Sequence, residues 1–80
     1  MSEIARLRWL CRRGMKEHDL LLGTYFDNIY PRASEADQRA FRAILEMPDP
    51  ELNDLILGRE LSDDADVARV IAVLRDTLAS

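Results

Sequence analysis

The chain has 80 residues, one cysteine, three glycines and three prolines, and its formal net charge is −4 with the single histidine neutral. Eighty residues allow one small domain with one core, and a hydrophobic content of 48% excludes a disordered or low-complexity chain. A lone cysteine excludes an intramolecular disulfide and a multi-cysteine zinc site, and the longest apolar run, Leu20-Leu21-Leu22, is too short to span a membrane.

The first predicted helix runs from residue 2 or 3 to residue 11 or 12. Ser2 is a suitable N-cap, and Ile4, Leu7 and Cys11 recur at helical spacing. Trp9 falls outside this stripe. We expect it either to pack under a neighbouring helix or to lie partly exposed.

Gly14 interrupts the helical pattern. It is expected either to cap the first helix in a left-handed conformation or to permit a close helix contact. A second helix then runs from about residue 16 to residue 29, and Tyr30-Pro31 ends it, because proline disfavours the helical conformation in the residue before it. The broad apolar face of this helix consists of Leu21, Leu22, Tyr25, Phe26 and Ile29.

Three further helices follow the proline. Ser34 begins a third helix that ends at about residue 46. Asp49 as N-cap and Pro50 in the first turn begin a short fourth helix over about residues 50–57, which Gly58 ends. A fifth helix begins at residue 62 or 63, and its apolar stripe consists of Val67, Val70, Ile71, Leu74 and Leu78. No strand pattern occurs, so the sequence predicts an all-α fold, a compact five-helix bundle forming a single domain over residues 1–80.

Basic residues are concentrated at the N-terminus. Residues 1–16 contain five basic residues and one acidic residue, whereas residues 17–80 contain six basic and fourteen acidic residues. One interpretation is a solvated arginine face on the first helix, and the other is a docking surface for an acidic partner. The negative net charge and the acidic later helices argue against a nucleic-acid binder of the helix-turn-helix type.

The sequence gives little support for an enzyme. Cys11 and His18 could supply a nucleophile and a base, but no glycine-rich elbow or third orienting residue accompanies them. Glu17, His18 and Asp19 are consecutive, so a helix would direct them apart rather than around a metal ion. The glycines stand alone, without a phosphate-binding or dinucleotide fingerprint. We therefore expect a binding protein with no catalytic, cofactor-binding or metal-binding residues.

The bend Arg13-Gly14-Met15-Lys16-Glu17 allows two interpretations. On a continuous helix, Arg13 and Glu17 would form an ion pair worth about 0.3–0.5 kcal/mol. Alternatively, Gly14 lets the backbone of a partner approach closely, while the fork of Arg13 donates and Glu17 accepts across the interface. Met15 would then add an adaptable apolar contact. The pattern alone leaves both interpretations open.

The same five residues resemble the R-G-x-x-E signature of the succinate dehydrogenase assembly factor 2 family, the SdhE/YgfY-type flavinylation factors. The stretches 9–13 and 19–23 are similar to the family's flanking sequence. Leu45-Glu46 followed by Asp49-Pro50-Glu51-Leu52 resembles a second family segment at the expected distance. The resemblance covers about residues 6–75.

The chain departs from the family pattern at three positions. His18 replaces a residue that is usually apolar, and Asn53 and Leu55 replace two aromatic residues. The loss of these aromatics suggests either altered packing of the fourth helix or an altered edge of the partner surface.

The resemblance implies a five-helix bundle that binds the flavoprotein subunit of succinate dehydrogenase, and also that of fumarate reductase. It further implies promotion of covalent FAD attachment to a histidine of that subunit. Because the sequence has no dinucleotide fingerprint, we expect that this chain does not hold FAD by itself. The implied partner-binding residues are Arg13, Gly14 and Glu17, with Arg12, Trp9, Met15 and Asp19 at the margin.

Other expectations complete this interpretation. The protein is expected to be cytoplasmic and bacterial, monomeric or weakly dimeric, and not bound to nucleic acid. Arg13→Ala and Glu17→Ala are expected to weaken docking with little change in melting temperature. The alternative function is an antitoxin-like or helix-turn-helix-like regulatory binding protein.

Overall fold

The computed structural model describes residues 2–14 and 16–79, and all regular secondary structure in these residues is helical. The helices are α1 Glu3–Leu10, α2 Lys16–Asn28, α3 Glu35–Leu45, α4 Asp49–Leu57 and α5 Ala65–Ala79, with a 3₁₀ turn at Tyr30–Arg32. The predicted all-α five-helix bundle is confirmed. Within the described residues, no helix is long and apolar enough to cross a membrane.

The core forms where α3 packs along α5. Helices α2 and α4 also contact α5, and α1 contacts α3. The ring of Phe41 lies 4.6 Å from that of Tyr25 and 5.5 Å from that of Tyr30, so aromatic contacts join α2, the 3₁₀ turn and α3. Each of α2 to α5 contributes a fully buried aliphatic side chain: Leu22, Ile44, Leu52 and Leu74.

Local capping chemistry fixes several helix ends. The hydroxyls of Ser2 and Ser34 each accept a hydrogen bond from the main-chain N–H three residues later, as predicted. Gly58 ends α4 with a φ of +77°. Helix α5 begins at Ala65, later than predicted, because the carboxylate of Asp64 accepts from the first N–H groups of that helix.

Three sequence predictions differ from the structure. Asp49 was expected as the N-cap of α4, but it is the first helical residue, and Pro48 takes the cap position without a side-chain bond. The Asp49 carboxylate bonds to Arg13 instead. Ile4 and Leu78 were predicted on buried stripes, but their exposed fractions are 54% and 49%. Both side chains border open grooves rather than a packed helix.

Candidate functional site

The bend between α1 and α2 is formed by a glycine in the left-handed region. Gly14 has a φ of +76°, and a Cβ atom placed there would meet nothing within 4 Å. Backbone strain rather than crowding therefore requires glycine at this position. Helix α1 is already closed by Cys11, so Gly14 is a turn residue beyond the helix rather than its C-cap. The outer side of this bend is open to solvent and to an approaching partner.

The guanidinium of Arg13 is directed into the bundle, toward the end of α3. Its Nη2 donates to the carbonyl oxygens of Leu45 at 2.6 Å and Ile44 at 3.2 Å. Its Nη1 donates to the carbonyl oxygen of Met47 and, at 3.1 Å, to the carboxylate of Asp49. The last carbonyls of a helix lack partners within the helix and lie at its negative end. The arginine therefore satisfies the C-terminus of α3 and links it to the start of α4.

This orientation differs from both sequence interpretations of the bend. Arg13 lies between α1 and α2 and pairs with Asp49 rather than Glu17, and its fork is directed into the chain rather than outward. The side chain is only 11% exposed, and both terminal nitrogens already have acceptors inside the chain. Its Nε is buried and has no partner among the described residues. The structure thus gives Arg13 a positioning role in the bend. Whether Arg13 also touches a partner remains a prediction.

Asp19, in α2, also holds Arg13 in place. Its carboxylate accepts a hydrogen bond from the main-chain N–H of Arg13, across the Gly14 bend. The backbone of Arg13 is therefore tied to the first turn of α2, while its side chain is tied to α3 and α4. Asp19 was predicted at the margin of a partner surface, and the geometry shows it holding the backbone of the bend.

Gly14 and Glu17 form the exposed part of the motif. Glu17 lies in the first turn of α2 and is exposed. Its carboxylate makes no hydrogen bond or ion pair with the rest of the described chain. A carboxylate is favourable at a helix N-terminus, so Glu17 needs no partner within the bundle. It is available as an acceptor beside the open backbone of Gly14. Met15, the apolar residue predicted between them, lies outside the described residues.

Most arginines of the basic N-terminal segment are already paired. Arg6 bonds to Glu46 at 3.0 Å, and Arg8 pairs with Asp27 at 3.0 Å. Arg12 is exposed and makes no such contact in the described part of the chain. Trp9 is 68% exposed, so it lies at the surface rather than packing under a neighbouring helix. The predicted marginal residues Arg12 and Trp9 are thus accessible.

The two candidate groups for nucleophilic catalysis are both buried. Burial raises the pKa of the Cys11 thiol to about 11, which is opposite to the change that activates a nucleophile. His18 is 6% exposed, and its Nδ1 has no hydrogen-bond partner among the described residues. No group of three or more metal-ligating side chains occurs within residues 2–14 and 16–79.

Asp49 and the carbonyls at the end of α3 are the site groups that sequence reasoning missed. All of them except the carbonyl of Ile44 lie within the second segment of the family resemblance, residues 45–52, and Arg13 joins that segment to the motif. The spacing of the two segments was the signal that could have indicated the contact. At the altered aromatic positions, Leu55 is buried in the core and Asn53 is half-buried, which favours altered packing of α4.

Comparison with known proteins identifies the family of the chain. The family model described as "Flavinator of succinate dehydrogenase" matches residues 5–78. The protein named FAD assembly factor SdhE in Shewanella oneidensis is 40% identical over 79 residues, covering 99% of this chain and 96% of the relative. Its namesake in Pseudomonas aeruginosa is 36% identical, covering 94% of this chain and 89% of the relative. In Aliivibrio fischeri the identity is 41%, with 79% and 73% covered. The chain therefore belongs to the family of succinate dehydrogenase flavinators.

Proposed function

We propose that this protein promotes covalent attachment of FAD to the flavoprotein subunit of succinate dehydrogenase by binding that subunit at the Gly14–Glu17 bend. The observation that carries the proposal is the division of the motif into two parts. Arg13 and Asp19 fix the bend from inside, and Gly14 and Glu17 are left exposed on its outer side. The open backbone at Gly14 beside an unpaired carboxylate suits recognition of a protein surface.

The proposed contribution is conformational rather than chemical. Flavin attachment requires the acceptor histidine of the partner to be aligned with the flavin methyl carbon. It also requires stabilisation of the charge that develops on the flavin ring. A protein that binds the aligned conformation more tightly than others raises its population. In this mechanism Glu17 accepts a hydrogen bond from the partner, and Gly14 permits close approach of the partner's backbone.

A noncatalytic role fits the chemistry of the buried groups. Burial raises the pKa of the Cys11 thiol to about 11, which makes its thiolate even scarcer at neutral pH than that of an ordinary cysteine. We further propose that the chain does not hold FAD by itself, that the fumarate reductase flavoprotein is a second partner, and that the protein acts as a cytoplasmic monomer or weak dimer. Internal pairing of Arg6 and Arg8 reduces the basic surface that a nucleic acid would need.

Co-expression tests the proposal directly. The flavoprotein subunit is produced in a host that lacks its own assembly factor, and covalent flavin is measured by fluorescence on a denaturing gel. Wild type is compared with Glu17→Gln and with the matched control Glu3→Gln, since Glu3 is also an exposed acid in the first turn of a helix. We expect flavin attachment with wild type and Glu3→Gln, and a clear loss with Glu17→Gln. Equal attachment with and without the protein would contradict the proposal.

A further inference from the structure

A shallow apolar groove lies between α2 and α5, directly beside the motif. Its volume is about 270 Å³, and its lining residues are Glu17, Leu20, Leu21, Thr24, Thr77 and Leu78. Leu20 is 71% exposed, and Leu78 is half exposed. Two large apolar side chains are therefore presented to solvent on opposite walls of one groove.

The groove continues the hydrophobic core to the surface. The apolar stripe of α5 is buried as far as Leu74, and Leu78 extends it by one more turn on the same helix face. Leu21 is buried and forms the base of the groove from the α2 side. Because no described side chain covers Leu78 and Leu20, their apolar surface is available to another molecule.

Glu17 gives the groove its charge. It is the only charged residue among those that line the groove, and its carboxylate makes no ion pair within the described residues. In the groove on the other side of α2, two basic residues, Arg8 and Arg12, outnumber the single acid Asp19. Charge complementarity thus favours a basic residue, rather than an acidic one, at the rim of the α2–α5 groove.

We propose that the α2–α5 groove binds a segment of the flavoprotein subunit that carries an apolar side chain next to a lysine or arginine. The apolar side chain lies between Leu20 and Leu78, and the basic group pairs with Glu17. This inference rests on the proposed function and extends it, since it assigns the apolar part of the docking surface and the chemistry of the partner segment. An apolar contact flanked by a charged pair at the rim is a usual arrangement for a protein interface.

Binding of the purified flavoprotein subunit, measured by titration calorimetry, tests this surface. The variants are Leu20→Gln and Leu78→Gln, in which glutamine keeps the helix propensity and removes the apolar side chain. The matched control is Leu61→Gln, because Leu61 is 84% exposed and lies outside the groove. We expect each groove variant to weaken binding about tenfold, and Leu61→Gln to bind like wild type. Circular dichroism melting confirms that each variant is folded.

The outcomes separate this inference from the proposed function. If Glu17→Gln weakens binding but both groove variants bind like wild type, the groove inference is wrong and the proposed function stands. If wild type does not bind the flavoprotein subunit, both are wrong. Sedimentation of the free protein provides a further check. A wild-type dimer that Leu20→Gln converts to a monomer would identify the groove as a self-association surface and overturn the inference.

Discussion

The guanidinium of Arg13 donates a hydrogen bond of 2.6 Å to the carbonyl oxygen of Leu45, and the two residues are 32 positions apart in the chain. This bond connects the Gly14 bend to the C-terminus of α3. A cation at the end of a helix that also satisfies several terminal carbonyls combines a favourable dipole interaction with hydrogen bonding. The motif arginine therefore contributes to the fold as well as to the position of the exposed motif residues.

Arg13→Ala is expected to destabilise the protein, contrary to the expectation from sequence. The substitution removes the donors that satisfy the end of α3 and leaves the Asp49 carboxylate without its cation. Hydrogen bonds to charged groups predict a loss of about 2–3 kcal/mol in the free energy of unfolding, measured by urea denaturation. Arg12→Ala is the control, because Arg12 is exposed and unpaired within the described residues, and its effect should stay within about 0.5 kcal/mol. Equal stability of the two variants would show that the internal contacts of Arg13 contribute little.

Gly14→Asn is expected to keep the fold and weaken binding of the flavoprotein subunit. Asparagine tolerates the left-handed region better than other non-glycine residues, so the backbone strain should lower the free energy of unfolding by at most about 2 kcal/mol. A Cβ atom at Gly14 meets nothing within 4 Å, so a side chain added there occupies the open side of the bend, where we propose that the partner approaches. Binding is measured by calorimetry, and stability by urea denaturation.

Gly58→Asn is the matched control for that substitution. Gly58 has nearly the same φ, +77°, and the atoms nearest to a Cβ there belong to the end of the flexible Arg75 side chain, the first at 3.1 Å. It should lose similar stability without losing affinity. If both variants bind equally well, close approach at Gly14 is not required for docking.

Local chemistry explains why most of the fold could be predicted from the sequence. Ser34 begins a helix and Gly58 ends one, each through hydrogen bonds to residues a few positions away. These capping patterns can therefore be recognised in a short stretch of sequence. Glu17 was expected either to pair with Arg13 or to accept from a partner, and the structure leaves it exposed in the first turn of α2, where an acid needs no internal partner.

The direction of the Arg13 side chain could not be predicted in the same way. Three of its acceptors are main-chain carbonyls, at Ile44, Leu45 and Met47, and every residue type carries such a group. Only the tertiary position of the end of α3 brings them to the guanidinium. The support from Asp19 depends similarly on the path of the bend. A motif residue that acts inside the fold and one that faces a partner therefore look alike in sequence.

His18→Leu is expected to stabilise the protein. His18 is 6% exposed, and its Nδ1 has no hydrogen-bond partner among the described residues. A buried polar atom without a partner costs about 1–3 kcal/mol, and leucine removes that cost while keeping an apolar contact. We expect an increase of about 1 kcal/mol in the free energy of unfolding, measured by urea denaturation. A lower stability for His18→Leu than for wild type would indicate that the imidazole makes a favourable contact.

The protein is expected to lose stability at alkaline pH because of Cys11. Burial raises the pKa of this thiol from 9.0 to about 11. The folded state therefore retains the thiol proton in a range where the unfolded state releases it. The resulting stabilisation is complete below pH 9 and is lost as the pH rises through about 11, by roughly 2 kcal/mol. Burial also raises the pKa of Tyr25, which adds a loss of the same sign.

Urea denaturation of wild type and Cys11→Ala between pH 7 and pH 11 separates the two contributions. Cys11→Ala has lower stability at pH 7, because Cys11 belongs to the core and alanine leaves space there. Its stability should nevertheless fall less steeply above pH 9 than that of wild type, and the remaining slope reports Tyr25. The comparison depends on the change with pH, so the loss at neutral pH does not affect it. Parallel curves for the two proteins would show that Cys11 ionises at the same pH whether folded or unfolded, and that its burial does not control alkaline stability.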